Sequence, residues 1–251
     1  MSVIRKLYRT LSLCRWDNPP RLVIDQFVAN ISRDISKGSR ILDAGAGECT
    51  YASAFSHCNY VSCDRAIGDP AWDYRGLSVI ADVAALPFKR GIFDAVLCTQ
   101  VLEHSCEPLS CCQQMAGLLR PGGRVYLTVP FLGDPLHQEP YDFYRYTKHA
   151  LRHLLQDAGL SPLDISPIGG LPFLLCCYFW WCFLICDQWN LRGGLHNPLR
   201  RTVRLLVRTA LLLWARVCAM LVILFGVTNV LSQKFTYGYT VVGEKSLLVK
   251  S

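Results

Sequence analysis

Ile41-Leu42-Asp43-Ala44-Gly45-Ala46-Gly47 is the stretch on which the reading of this chain turns. Arg40 to Asp43 reads as a short apolar strand, and it runs into two glycines separated by one alanine. A helix is expected to follow. Glycines at the end of such a strand let backbone approach a ligand closely. The acid that closes the next apolar segment, Asp64, stands 21 residues after Asp43. That is the placement of a carboxylate accepting hydrogen bonds from ribose hydroxyls. Alone, these features fit a nucleotide site and a tight, ligand-free turn equally well. A dehydrogenase fingerprint would need a third glycine where Cys49 and Thr50 stand, which argues against a pyrophosphate on the helix N-terminus.

Outward from this loop the chain alternates strands and helices. Asn59 to Asp64, Val79 to Asp82, Phe93 to Cys98, Arg124 to Val129 and Leu163 to Ile168 read as further strands. Helices are expected over about 22–36, over a dozen residues before Arg120, and from Lys148 to Ala158. Arg120-Pro121-Gly122-Gly123 reads as a turn. Residues 171–231 break the rhythm, and Thr236 to Val242 alternates like a last strand. The expectation is an α/β fold: a doubly wound, mostly parallel seven-stranded sheet with a hydrophobic helical insertion before the last strand. The organisation expected is N-terminal helices over 1–38, a core over 39–170, the insertion over 171–231, and the final strand and tail over 232–251.

The glycine loop and Asp64 are followed by Ala81-Asp82-Val83-Ala84-Ala85-Leu86-Pro87-Phe88. Next comes Phe93-Asp94-Ala95-Val96-Leu97-Cys98-Thr99-Gln100-Val101-Leu102-Glu103-His104, and then Leu118-Leu119-Arg120-Pro121-Gly122-Gly123-Arg124. In this order and spacing, from about residue 39 to 130, they resemble the class I S-adenosylmethionine-dependent methyltransferases. Tyr141-Asp142-Phe143-Tyr144-Arg145-Tyr146-Thr147 extends the resemblance to a bacterial-type branch. It does not cover residues 171–231.

The resemblance implies S-adenosyl-L-methionine as cofactor and assigns roles by position. Gly45, Ala46 and Gly47 would line it, with Asp43 ordering the loop and the donor's amino group. Asp64, with Arg65 beside it, would take the ribose hydroxyls. Asp82 would face the adenine amino group, and Val83 would pack on the ring. Thr99 and Gln100 would sit near the methionine end. The family usually has a third glycine where Cys49 stands.

Methyl transfer needs in-line approach of a nucleophile at about 3–3.5 Å, so positioning does most of the work. A base helps when the acceptor is protonated. The loop after the fifth strand holds Asp134, His137, Glu139, Tyr141, Asp142, Tyr144 and Arg145. His137 and His104 are the candidate catalytic residues; each could instead be a structural polar group. Tyr141, Tyr144 and Arg145 are candidate substrate contacts, and Arg145 could equally pair with Asp142. Trp72 and Tyr74 could cover a ligand or simply pack. No cysteine or histidine spacing points to a metal, and none is expected.

Hydrophobic residues make up 51 % of the 251 positions and charged ones 18 %, which excludes a disordered chain. The net charge of +7 is unevenly spread. Residues 171–251 hold 9 basic and 2 acidic residues, which accounts for all of it, and residues 17–170 sum to −4. Leu171 to Cys186 carries no charge over 16 positions. As a helix it would span about 24 Å, short of a hydrocarbon core of about 30 Å. Arg201, Arg204 and Arg208 follow on one helical face, and Val217 to Val227 is apolar again. The expectation is a hairpin dipping into one leaflet, with its arginines at anionic headgroups. A soluble cap is the alternative. The basic helix expected over 3–13 could be a second surface contact or a solvated helix capping the domain.

Thirteen cysteines in a chain this long and apolar, with no secretory signal visible, point to a reducing compartment on the cytoplasmic side of a membrane. Nucleic acid is not expected as a partner, because the arginines lie among leucines without a stacking groove. The expected function is methyl transfer to oxygen of a lipid-like or amphipathic small molecule. The alternative is a non-catalytic, membrane-bound scaffold of the same fold.

Overall fold

The computed structural model describes residues 19–192 and 234–247, and between them 202, 205–207, 209, 210, 213, 214 and 217. The expected helix over 3–13, Arg201, Arg204 and Arg208, and the apolar run 218–227 lie outside the described residues.

The expected sheet is present. Strand β1 is Arg40–Ala44, β2 Asn59–Asp64, β3 Val79–Ile80, β4 Phe93–Thr99, β5 Leu119–Pro130, β6 Leu160–Ile168 and β7 Gly238–Lys245. The order across the sheet is β3-β2-β1-β4-β5-β7-β6. Strands β1 to β5 pair in parallel. Strand β7 runs antiparallel to β5, with Arg124 opposite Glu244 and Pro130 opposite Gly238. The order in which successive strands are added reverses between β1 and β4, which makes that crevice the switch point of a doubly wound fold. Because the strands are parallel, Ala44, Asp64, Ile80, Thr99 and Pro130 close their strands along one edge.

The strands read as apolar runs because the central ones are covered on both faces. Ile41, Leu42, Val96, Leu97, Val125 and Leu127 are all fully buried. Helix α1 (Pro19–Asp34) buries Ile24, Val28 and Ile31 at helical spacing. Helix α2 (Pro108–Leu118) starts on proline and buries Cys111, Cys112 and Met115. Helix α3 (Lys148–Asp157) is capped by the Thr147 side chain accepting from the Ala150 amide, and it buries Leu151 and Leu155.

Three local expectations differ from the structure. After Gly47 the chain forms successive tight turns rather than an α-helix: Cys49, Ala52, Phe55 and Cys58 amides donate three residues back. Cys49 has φ +56°, which interrupts a right-handed helix, and Thr50, Ser53 and Ser56 are weak helix formers. Strand β3 stops at Ile80, because the Asp82 side chain caps the turn Val83–Ala85. The turn at 120–123 sits inside β5 as a bulge: Leu119 pairs with Phe93 and Arg124 with Ala95. A Cβ at Gly123 would lie 2.9 Å from the Arg120 carbonyl oxygen, so the bulge closes only on glycine.

Two compact units divide the chain, one of residues 24–166 with 238–251 and one of 1–23 with 167–237. The second contains helix α4, Leu171–Arg192, which continues past the charge-free run. Phe173 meets Tyr237, and Phe179 meets Trp214, both ring edge to ring face. Leu205, Leu206, Leu213, Trp214 and Val217 are exposed. Among the described residues, no helix is long and apolar enough to cross a membrane.

Candidate functional site

The glycine loop is built on β2. The Gly45 and Ala46 amides both donate to the Cys63 carbonyl, at 2.7 and 3.0 Å. Gly45 has φ +83°, and the Val101 side chain fills the space where its Cβ would stand. The close approach that demands glycine at 45 is therefore to Val101. At Gly47 a Cβ would meet only the Trp72 ring, at 3.4 Å. Trp72 leans over that loop and sits 6.1 Å from the Tyr74 ring.

Asp64, at the end of β2, accepts from the Gly47 amide at 3.0 Å and from the Ala66 amide at 2.8 Å. Each carboxylate oxygen retains a lone pair for a further donor. Asp43 is buried instead, and the Tyr60 hydroxyl donates to it at 2.6 Å. Burial and this carboxylate push the Tyr60 phenol up, so it stays a donor. Asp82 accepts from the Ala84 amide at 2.8 Å and lies 3.4 Å from Arg65 Nε. The Arg65 guanidinium also sits 5.4 Å from the centre of the Tyr141 ring. Val83 is buried beneath this turn. Thr99 closes β4, and Gln100 follows with φ +54°, its side-chain amide donating to Thr128 at 3.1 Å. The set is thus a glycine loop with two half-exposed carboxylates, one closing β2 and one capping the turn after the neighbouring β3. It suits a nucleoside, whose hydroxyls and amino group donate.

Across the same strand ends, the turn Leu102–His104 is joined to the loop after β5. The Glu103 carbonyl accepts from the Phe143 and Tyr144 amides at 2.8 and 3.3 Å, and the Tyr146 hydroxyl donates to the Leu102 carbonyl at 2.9 Å. His104 Nδ1 donates to the Tyr141 carbonyl at 2.6 Å, and its Nε2 lies 3.9 Å from Glu103 Oε1. Burial holds His104 below the usual imidazole range, so it is neutral near pH 7. The His104 and His137 rings meet edge to face at 4.7 Å. His137 Nδ1 donates to the Pro135 carbonyl at 3.1 Å, with Asp134 and Asp142 carboxylates at 3.6 and 3.7 Å.

Arg145 takes the pairing alternative. Its guanidinium bonds Asp142 at 2.5 and 2.9 Å and the Pro135 carbonyl at 3.1 Å. It holds Asp142 at about 2. Tyr141 and Tyr144 are partly exposed, and the Tyr144 hydroxyl reaches the Cys106 carbonyl at 3.4 Å. The structure therefore brings Asp64, Asp82, Arg65 and Tyr141 together on one side and His104, His137 and Arg145 on the other.

Sequence reading gave no role to Glu103, which is fully buried, with burial pushing its carboxyl up to about 8. Its signal was slight: an acid at the end of the apolar run Val101-Leu102. Nor did it give one to Val101 or Tyr60, which shape the glycine loop from 56 and 17 positions away.

A family model described as "Methyltransferase domain" matches residues 17–165. An uncharacterized methyltransferase of Mycolicibacterium gilvum is 31 % identical over 149 residues, covering 52 % of this chain and 58 % of that protein. The chain thus spans less than two thirds of that relative's length. A ubiquinone biosynthesis O-methyltransferase of Dinoroseobacter shibae is 30 % identical over 185 residues, covering 59 % of this chain and 73 % of that one. Among solved structures, the [4+2]-cyclase SpnF has a TM-score of 0.54 at 16 % identity, over 88 % of this chain and 80 % of its own. At that identity the likeness concerns the fold alone.

Proposed function

The chain belongs to the methyltransferase-domain family, and on that premise we propose that it moves a methyl group from S-adenosyl-L-methionine to a hydroxyl oxygen of a lipid-like or amphipathic small molecule. The observation that carries this reading is the pair of half-exposed carboxylates beside the glycine loop: Asp64, which closes β2, and Asp82, which caps the turn just after the adjacent parallel strand β3. When bound, the cofactor supplies a methyl already activated as a sulfonium. Asp64 would accept from the ribose hydroxyls and Asp82 from the adenine amino group, with Arg65 and Tyr141 beside Asp82. Gly45, Ala46 and Gly47 carry the loop, and Asp43 fixes its root through Tyr60. Val83 supports the ring, and Thr99 and Gln100 border the amino-acid end.

His137 takes the acceptor's hydroxyl proton at Nε2, because its Nδ1 already donates to Pro135. His104 positions His137 through their ring contact. The cofactor would supply its methyl group to the oxygen so deprotonated, and the chain's part is to hold that oxygen in line with it. Tyr144 forms the wall against which the acceptor packs, and Arg145 holds that wall through Asp142 and the Tyr144 carbonyl. That the D. shibae relative is a ubiquinone biosynthesis O-methyltransferase supports oxygen as the acceptor atom.

The membrane half of this reading is supported by the exposed Leu205, Leu206, Leu213, Trp214 and Val217, and by the arginines interleaved with them in sequence. The insertion lies on the cytoplasmic face of a bilayer and delivers an acceptor from it. Incubating the purified protein with methyl-labelled donor and a membrane lipid extract tests the proposal: label in an organic-soluble product supports it, and label remaining entirely on the donor refutes it.

A further inference from the structure

Glu103 follows β4 in the turn Leu102–His104. Its side chain is fully buried, and beyond its own residue neither carboxylate oxygen has a hydrogen-bond partner. A buried carboxyl without partners is costly to ionise, so it stays protonated unless a partner group or a metal ion takes up its charge. Two imidazoles stand beside it. One donor atom from each of Glu103, His104 and His137 can be chosen so that all three lie within 4.8 Å of one another.

The histidines are also set in the right tautomer. Each donates Nδ1–H to a backbone carbonyl, Tyr141 for His104 and Pro135 for His137. That leaves the Nε2 lone pair of each ring available. A backbone carbonyl on the far nitrogen is the usual support for a metal-binding imidazole. The Asp134 and Asp142 carboxylates near His137 Nδ1 add negative charge behind the same ring.

We propose that Glu103, His104 and His137 form a binding site for a divalent transition-metal ion. Two imidazole nitrogens and one carboxylate oxygen favour zinc-like ions over magnesium or calcium, which take mainly oxygen. Three protein ligands leave a fourth position open, as in zinc sites that accept water or an oxygen ligand. Bonds of about 2.0–2.1 Å require tetrahedral ligand atoms about 3.3 Å apart. The Glu103–His104 pair, at 3.9 Å, is close to that already. The remaining closure needs side-chain rotation of His137, whose side chain is 32 % exposed. The ion would use the same lone pair that His137 uses as a base, so the two roles exclude each other at any moment. The site therefore goes beyond the proposed function, and binding is measured without donor or acceptor, so failure of one leaves the other standing.

The test is titration of the chelator-stripped full chain with Co²⁺, read by visible absorption of the bound ion and by equilibrium dialysis. One ion per chain is expected, in a low-coordinate environment. Glu103→Gln and His137→Ala should each weaken it about tenfold or more, with circular dichroism checking the fold. If Glu103→Gln does not fold, the partly exposed His137→Ala carries the test alone. No stoichiometric binding to the wild type, or binding that survives the variants because cysteine thiols hold the ion, overturns the site.

Discussion

The Gly47 amide donates to the Asp64 carboxylate at 3.0 Å, which ties the glycine loop to the end of β2. One residue thus both shapes the loop and offers acceptors beside it. Asp64→Ala should weaken S-adenosylmethionine binding by roughly 10- to 100-fold, the worth of about 1.5–3 kcal/mol for hydrogen bonds to a charged group. Asp64→Asn should fall between, because one side-chain oxygen still accepts. Calorimetric titration with the donor checks both.

Gly45 is demanded by Val101 as much as by its φ of +83°. Gly45→Ala should destabilise the fold by about 2–4 kcal/mol, combining left-handed backbone strain with overpacking. Gly45→Ala with Val101→Ala should recover part of the packing loss, because the two sites are in contact. Urea unfolding of the single and double variants measures the coupling.

Arg145 holds the Asp142 carboxyl at about 2, below its ordinary 3.8. A carboxylate lowered in the fold stabilises fully above its ordinary value, and that contribution is lost as pH falls through the folded one. Stability should therefore drop between about pH 4 and pH 2, by on the order of 1–2 kcal/mol from this pair. Arg145→Met should be less stable at neutral pH and should lose that part of the acid slope. Thermal unfolding across this pH range measures it.

Exposed apolar side chains on the insertion carry its proposed membrane contact. Replacing Leu205, Leu206 and Trp214 by serine should weaken binding to anionic lipid vesicles, read by sedimentation, by roughly a thousandfold or more, since burying each large apolar side chain contributes about 1.5–3 kcal/mol. Donor affinity should be unchanged. Equal sedimentation of variant and wild type would assign those residues to a protein contact.

The seven strands were legible because central parallel strands must be apolar on both faces, as Ile41-Leu42 and Val96-Leu97 are. The acids at strand ends were legible because they interrupt such runs at fixed places. What sequence hid was long-range or conformational. Nothing in Cys49 announces a left-handed residue that replaces a helix with turns. Arg120 to Gly123 reads as a turn, and its place inside β5 depends on pairing with Phe93 and Ala95. His104 is oriented by a carbonyl 37 positions away, and Arg145 by a carboxylate that competes with any ligand. Glu103 looks like a solvated acid until the strands close around it.

The most direct test of the account is a comparison of wild type, Asp64→Ala and His137→Ala, each given methyl-labelled S-adenosylmethionine and a membrane lipid extract. The account predicts label on an oxygen atom of an organic-soluble product with the wild type. It predicts loss of transfer in Asp64→Ala with loss of donor binding, and loss in His137→Ala with donor binding intact. Wild-type protein that binds the donor yet passes no label to any fraction, or equal transfer by all three proteins, would contradict it.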